Sequence, residues 1–295
     1  MKLVIRLTIS RSEMSFWKRL CAFYAKLNPA PGPLPCNELP ASGGGTLEAF
    51  GFTDVGCVRS NNEDYFRVEP ELGLYAVADG MGGAEAGEYA ARLAVDTVTQ
   101  RFVSAERRDS QLLLSAMQEA NRRVVDAATG SPGLKGMGTT LLVGLALGEE
   151  IHISSVGDSR VYLLDNTGLH PITQDQSWMH EVGRFLGLDA ETLRKHPMRN
   201  LLTMAIGHGS PLTVNTYAVR LHRSSMLLMC TDGLHGVVAE AKIEEVLRNT
   251  GHDLETKCRK LVEAALAAGG PDNVSVVLLR PKTSGRKTDD ARTAA

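Results

Sequence analysis

The 295-residue sequence has no uninterrupted apolar run approaching the roughly 20 residues that a helix needs to cross a bilayer. A helical membrane span is therefore not expected. Charge of one sign is also lacking. The chain carries 32 Lys and Arg against 34 Asp and Glu, a formal net charge of −2. Such a balance offers no basic field for non-specific nucleic-acid binding, and no nucleic-acid partner is expected. The five cysteines (Cys21, Cys36, Cys57, Cys230, Cys258) are odd in number, scattered, and without a C-x-x-C pair. They signal neither a disulfide framework nor a zinc site, and a reducing, cytoplasmic location is the expectation. No G-x-x-x-x-G-K-[ST] loop is present, which disfavours P-loop nucleotide hydrolysis. The opening stretch MKLVIRLTISRSEM is a poor secretory signal, because Arg6 interrupts its apolar run and no small-residue cleavage site follows.

What is present is the composition of a folded protein, 43% hydrophobic and 22% charged, with enough length for one large domain. Residues 1–47 stand apart. Trp17, Leu20, Cys21, Tyr24 and Leu27 recur at helical spacing with Lys18, Arg19 and Lys26 between them, and the run NPAPGPLPCNELPASGGG then marks a linker. Three readings stand for this segment: an unstructured appendage, an amphipathic helix that docks on a membrane surface or a partner, or a translation start at Met14 that leaves the first thirteen residues unmade. Residues 48–281 read as one continuous domain, and 282–295 as a disordered tail.

Within the domain, GLYAVAD, TTLLVGLAL, EIHISSVGD, RVYLLDNTGLHPI, TYAVRLH, SMLLMCTD and NVSVVLLR read as strands, being short, apolar or alternating, and bounded by turn residues. DNTG at 165–168 predicts a hairpin turn. Helical patterns fall at 86–103, at 109–129 with Asp109 as N-cap, and at 253–268 before Gly269 and Gly270. Helices in pairs between groups of consecutive strands predict an α+β fold with layered antiparallel sheets.

Several strands end on an acid. Asp79 closes GLYAVAD and Asp232 closes SMLLMCTD, each followed by glycine; Asp158 closes HISSVGD, and Asp272 precedes NVSVVLLR. Glu63 and Asp64 sit side by side, with Arg59 four residues before Glu63. Taken singly, each Asp-Gly is a common turn dipeptide. Four such acids at the ends of apolar strands are harder to explain that way. Carboxylates gathered at one sheet edge repel unless divalent cations neutralise them, and an all-oxygen ligand set suits magnesium or manganese. Gly80 lets backbone approach a cation and offers its carbonyl. A cation pair of this kind activates water for attack on a phosphoester, and Arg59 has the planar fork for two phosphate oxygens.

These residues resemble the metal-dependent, type 2C serine/threonine protein phosphatases in their bacterial form. The matching segments run in the family's order: TDVGCVRSNNEDYF, VADGMGGAEAGEYAA, GMGTTLLVGL, SSVGDSRVYLL, LHPITQDQS, LLTMAIG, LLMCTDGL and GGPDNVSVVLL. The resemblance implies a four-layer αββα sandwich, two antiparallel sheets flanked by helix pairs. It implies that Asp79 bridges two Mn2+ or Mg2+ ions and that Gly80 adds its carbonyl. Asp232 and Asp272 would complete one shell, and Glu63 and Asp64 would hold the other ion, partly through water. Arg59 would bind substrate phosphate, Asp158 would serve a weaker third ion, and Asn273 would support Asp272. The implied partners are phosphoproteins and a cognate Ser/Thr kinase, with the enzyme acting as a monomer. The alternative is a phosphatase-like module that binds phosphorylated partners without turnover.

The chain departs from the family at three positions. Gly236 stands where many relatives have an acid, Gln176 where a histidine is common, and Met204 where an arginine is common. Met81 follows the bacterial pattern, where eukaryotic relatives carry a histidine proposed as general acid, so no side-chain acid is assigned. His235 is read as a plain exposed or packing residue, and His196 as a structural one, with substrate contact as the alternative because its segment (178–200) is a flap beside the site in relatives.

Overall fold

The computed structural model describes residues 47–282 apart from 184, 185, 188, 209 and 210. The amphipathic helix and linker expected before residue 47, and the tail expected from 283 onward, lie outside the described residues. The chain opens with β1 (Leu47–Asp54), β2 (Asp64–Glu69) and β3 (Leu74–Met81). Two long helices follow, α1 (Ala84–Val103) and α2 (Ser110–Gly130). Then come β4 (Gly138–Thr139), β5 (Leu141–Leu147), β6 (Glu150–Val156), β7 (Arg160–Leu164) and β8 (Leu169–Pro171). A π-helical turn (Met179–Gly183) and α3 (Ala190–Lys195) precede β9 (Asn215–Arg220) and β10 (Met226–Cys230). Helices α4 (Asp232–His235), α5 (Glu240–Arg248) and α6 (Leu254–Ala267) lead into β11 (Val274–Pro281).

The strands form two antiparallel sheets. The first has the order β1-β11-β10-β7-β8; the second has the order β2-β3-β5-β6-β9, with β4 alongside β3. Two-residue alternation explains how they stack. In β3, Leu74, Ala76 and Ala78 pack outward with Ala90, Ala94, Val98, Met117 and Val124 of α1 and α2. Tyr75 and Val77 face the other way and meet Leu227, Met229, Val277 and Leu279 of the first sheet. Leu228, Cys230, Val276 and Leu278 then face outward against Ile243, Leu247, Cys258 and Leu261 of α5 and α6. The result is helix pair, sheet, sheet, helix pair, the layering implied by the resemblance.

Local chemistry accounts for the helix starts. The Asp109 carboxylate accepts the Leu112 N–H at 2.9 Å, and Asp253 accepts that of Thr256 at 2.8 Å, each serving an N–H that the helix itself leaves open. The predicted hairpin at 165–168 joins β7 to β8, with Asp165 Oδ1 accepting the N–H of Thr167 at 2.7 Å. Several elements were not in the sequence reading, the π-helical turn and the short helices α3 and α4 among them. β1 and β2 had no strand assignment, and α5 supplies the missing partner of α6, with Ile243, Val246 and Leu247 buried at helical spacing.

Candidate active site

The inter-sheet face of β3 runs Tyr75, Val77, Asp79, so Asp79 takes the next place in an otherwise apolar row. Asp64 is its direct partner on β2 and lies in phase with Phe66 and Val68, which also face the other sheet. Both acids are buried. Burial raises the Asp64 pKa well above the usual carboxylate range; the charge of Asp79 adds to this and that of Asp232 contributes, while hydrogen bonds from Thr231 and Ser275 oppose it. Acids from both sheets thus feel one another.

Arg59 lies on the loop between β1 and β2, and its Nη2 donates to Asp272 Oδ2 at 2.8 Å. Burial works against its charge, but Asp272, and then Glu63 and Asp79, outweigh burial and raise its pKa. The sequence reading placed Arg59 near Glu63, whose charge does act on it; the ion pair with Asp272 was not anticipated. Asn273 has a wider role than supporting Asp272. Its Oδ1 accepts the Glu63 N–H at 2.8 Å, and its Nδ2 donates to the carbonyls of Val55 and Asn61, both at 2.9 Å. One amide therefore holds the whole loop that carries Arg59 and Glu63 against the start of β11.

Gly80 is small for a structural reason as well. A Cβ there would collide with the carbonyl oxygens of Gly87 and Glu63. The Gly80 N–H donates to the Glu63 carbonyl at 3.1 Å. The close approach is therefore to the protein's own backbone, which draws α1 onto the strand ends. The Glu63 carboxylate lies where a Cβ on Gly87 would be. Asp158 stands one step away. The Oγ of its neighbour Ser159 is 2.8 Å from Thr140 Oγ1, which accepts the Asp79 N–H at 2.9 Å.

The donor set fits divalent cations. Asp232 Oδ1 is buried without a hydrogen-bond partner, as is Arg59 Nε, and an orphaned buried carboxylate oxygen calls for a cation or a donor. The candidate ligands are all oxygens, the preference of magnesium and manganese. Among the described residues, no three His, Cys, Asp or Glu side chains form by themselves a group placed to hold a metal. The cavity lined by Arg67, Asp96, Thr99 and Gln100 lies elsewhere, between β2 and α1, and has no part in this chemistry.

The departures from the family pattern have structural uses. Gln176 is a clamp. Its Oε1 accepts the Gly157 N–H at 2.9 Å, and its Nε2 donates to the Thr213 carbonyl at 3.0 Å. Met204 packs against the core under α1 and α2. His196 stacks on Trp178 with ring centroids 4.0 Å apart, the packing role expected of it. His235 Nε2 is 3.0 Å from the Asp158 carbonyl oxygen. Burial, with the Arg160 charge behind it, holds its pKa down to about 4, so at neutral pH it is an uncharged structural donor. Sequence reasoning missed the hydroxyls of Thr231, Ser275 and Thr140, whose strand phase was the available signal.

The family model described as Protein phosphatase 2C matches residues 58–268. The serine/threonine phosphatase stp of Listeria innocua is 35% identical over 240 residues, covering 77% of this chain and 93% of that protein. The solved serine/threonine phosphatase PstP/Ppp of Mycobacterium tuberculosis superposes with a TM-score of 0.73 at 32% identity, over 80% of this chain and 99% of that one. A PstP catalytic domain in complex with two manganese ions superposes with a TM-score of 0.69, also at 32% identity, over 79% of this chain and 97% of that one. Sequence, fold and the gathered strand-end acids agree, and the chain belongs to the protein phosphatase 2C family as a bacterial-type serine/threonine phosphatase.

Proposed function

We propose that this enzyme hydrolyses phosphoserine and phosphothreonine monoesters of proteins at the acid-lined sheet edge with two divalent cations, manganese or magnesium. It acts as a monomer in the cytoplasm and opposes a Ser/Thr protein kinase. In this reading Asp79, Asp232 and Asp272 would hold one cation, Glu63 and Asp64 with Asp79 would hold the other, the Gly80 carbonyl would contribute, and Asp158 would serve a weaker third site. The observation that carries the reading is the register of Asp64 opposite Asp79, with Asp232 of the other sheet close enough to act on Asp64. The two manganese ions in the solved PstP domain support it. The exposed thiol of Cys57 and the buried free thiols of Cys230 and Cys258 suit a reducing compartment.

When bound, such cations acidify a water and offset the charge that builds on the phosphoryl oxygens. The chain's own residues do the rest. Arg59 holds a fixed charge beside the acids and presents its guanidinium fork to the substrate phosphate. Asn273 keeps the Arg59 loop in place. His235 is neutral and turned to the Asp158 carbonyl, and Met81 has no proton to give. The proton for the departing serine or threonine oxygen therefore comes from water.

The test is hydrolysis of an aryl phosphate and a phosphothreonine peptide with and without manganese, comparing wild type with Asp232→Ala. The expected result is metal-dependent turnover in wild type and near-background rates in the variant. Equal rates for the two proteins, or turnover indifferent to manganese, would defeat the reading.

A further inference from the structure

Asp64 and Asp79 belong to one sheet, whereas Asp232 follows β10 and Asp272 precedes β11 of the other. A site assembled from both sheets needs something to set the gap between them. A ring of hydroxyls lies there. Thr231 Oγ1 donates to Asp64 Oδ2 at 2.8 Å and accepts the Ser275 N–H at 3.0 Å. The Ser275 side chain also bonds Asp64, and its Oγ is 2.7 Å from Thr53 Oγ1. Thr53 Oγ1 accepts from Asn62 Nδ2 at 2.9 Å, and Asn62 Oδ1 accepts the Asp64 N–H at 3.1 Å. The ring closes on itself.

Strand phase explains why these residues meet. Ser275 is in step with Val277 and Leu279, and Thr231 with Leu227 and Met229, the residues that face the second sheet. When Asp64 is ionised its carboxylate only accepts, so the Thr231 and Ser275 hydroxyls donate to it.

Thr231 has a second peculiarity. It occupies the N-cap of α4, where a threonine oxygen ordinarily accepts an N–H of the first turn. Here its side chain makes no such bond; the hydroxyl serves Asp64 instead.

We propose that Thr231 is a positioning residue for the metal centre, tying Asp64 of one sheet to the strand end that carries Asp232 in the other. It thereby holds the acids of the two sheets at the spacing the cations require. This rests on the two-cation reading above.

The test is calorimetric titration of the metal-free protein with Mn2+, using wild type, Thr231→Val, Thr231→Ser and Asp79→Asn. Loss of a residue that orients a ligand from outside the metal's own shell weakens metal affinity by about 10- to 100-fold, and that is the effect expected for Thr231→Val. Thr231→Ser, which keeps the hydroxyl, should bind Mn2+ as wild type does, and Asp79→Asn should lose binding. Wild-type affinity in Thr231→Val, or equal weakening in the Ser and Val variants, overturns the proposal while an inert Asp79→Asn leaves the cation reading standing. Wild-type affinity in Asp79→Asn overturns the cation reading itself. Should Thr231→Val fail to fold, Ser275→Ala removes the other hydroxyl on Asp64. The same weakening is expected there, and unchanged affinity contradicts the proposal.

Discussion

Asp64 and Asp175 are sheltered from water almost equally, at 6% and 7% exposure, yet their surroundings differ in kind. Asp175 is held by a guanidinium. Arg160 Nε and Nη2 each reach one of its oxygens at 2.8 Å, and His180 Nδ1 stands 3.3 Å from Oδ2. The hydrogen bonds on the Asp64 side chain come from hydroxyls, and its charged neighbours named above are acids. Burying an ion costs several kcal/mol unless a partner offsets it. At Asp175 the fold supplies that partner. At Asp64 it supplies only neutral donors, which orient a carboxylate without neutralising it. A buried acid that comes with its own cation braces the structure; one left among other acids is set up to take a cation from solution.

The contrast can be broken or sharpened by mutation. The largest expected effect is on catalysis. Asp79→Asn should reduce manganese-dependent turnover by more than the roughly 100-fold that loss of an outer-shell support costs, while leaving melting in EDTA near wild type. Steady-state rates and a melting curve check both halves. Asp175→Asn should do the opposite. Removing one member of a buried pair costs about 3–5 kcal/mol, to be read by urea denaturation, while Mn2+ affinity stays close to wild type. If Asp175→Asn lost metal binding and kept its stability, the distinction between the two acids would collapse.

Arg59→Gln comes next. Hydrogen bonds to charged groups contribute about 1.5–3 kcal/mol, so the KM for a phosphothreonine peptide should rise about tenfold or more. Mn2+ affinity should not weaken, because the Arg59 guanidinium on Asp272 Oδ2 adds like charge beside the cations. Weaker Mn2+ binding would recast Arg59 as a support for Asp272. The smallest effect is expected for His196→Ala. An aromatic pair adds about 0.5–1.5 kcal/mol beyond its burial, so losing the stack on Trp178 should cost about that much stability and leave kcat near wild type. A change in kcat alone would contradict that.

Much of this was legible in the residues. Layered antiparallel sheets followed from grouped strands with helices between the groups, the αββα order was implied by the family resemblance, and the strand-end acids followed from their places beside apolar runs. Asp79 reads in step with Tyr75 and Val77, so its face was available before any coordinates. The opposing residue was not. Phase says which side a side chain takes, but not which strand of another sheet lies across from it. That is why the pairing of Arg59 with Asp272 and the bond from Thr231 to Asp64 were missed. β1 escaped notice because Gly51 breaks its apolar pattern, and that glycine is explained only by the Phe66 ring lying over it. The smallness of Gly80 also answers to the Gly87 and Glu63 carbonyls, a contact between segments that no local pattern contains.

The most direct test of the central claim is anomalous diffraction from crystals grown with manganese. The account predicts two strong anomalous peaks in the gap between the sheets, both contacting Asp79, one reached also by Asp232 and Asp272 and the other by the Glu63 side. Manganese found only at scattered surface carboxylates, with Asp79 and Asp232 bound to no common site, would contradict it.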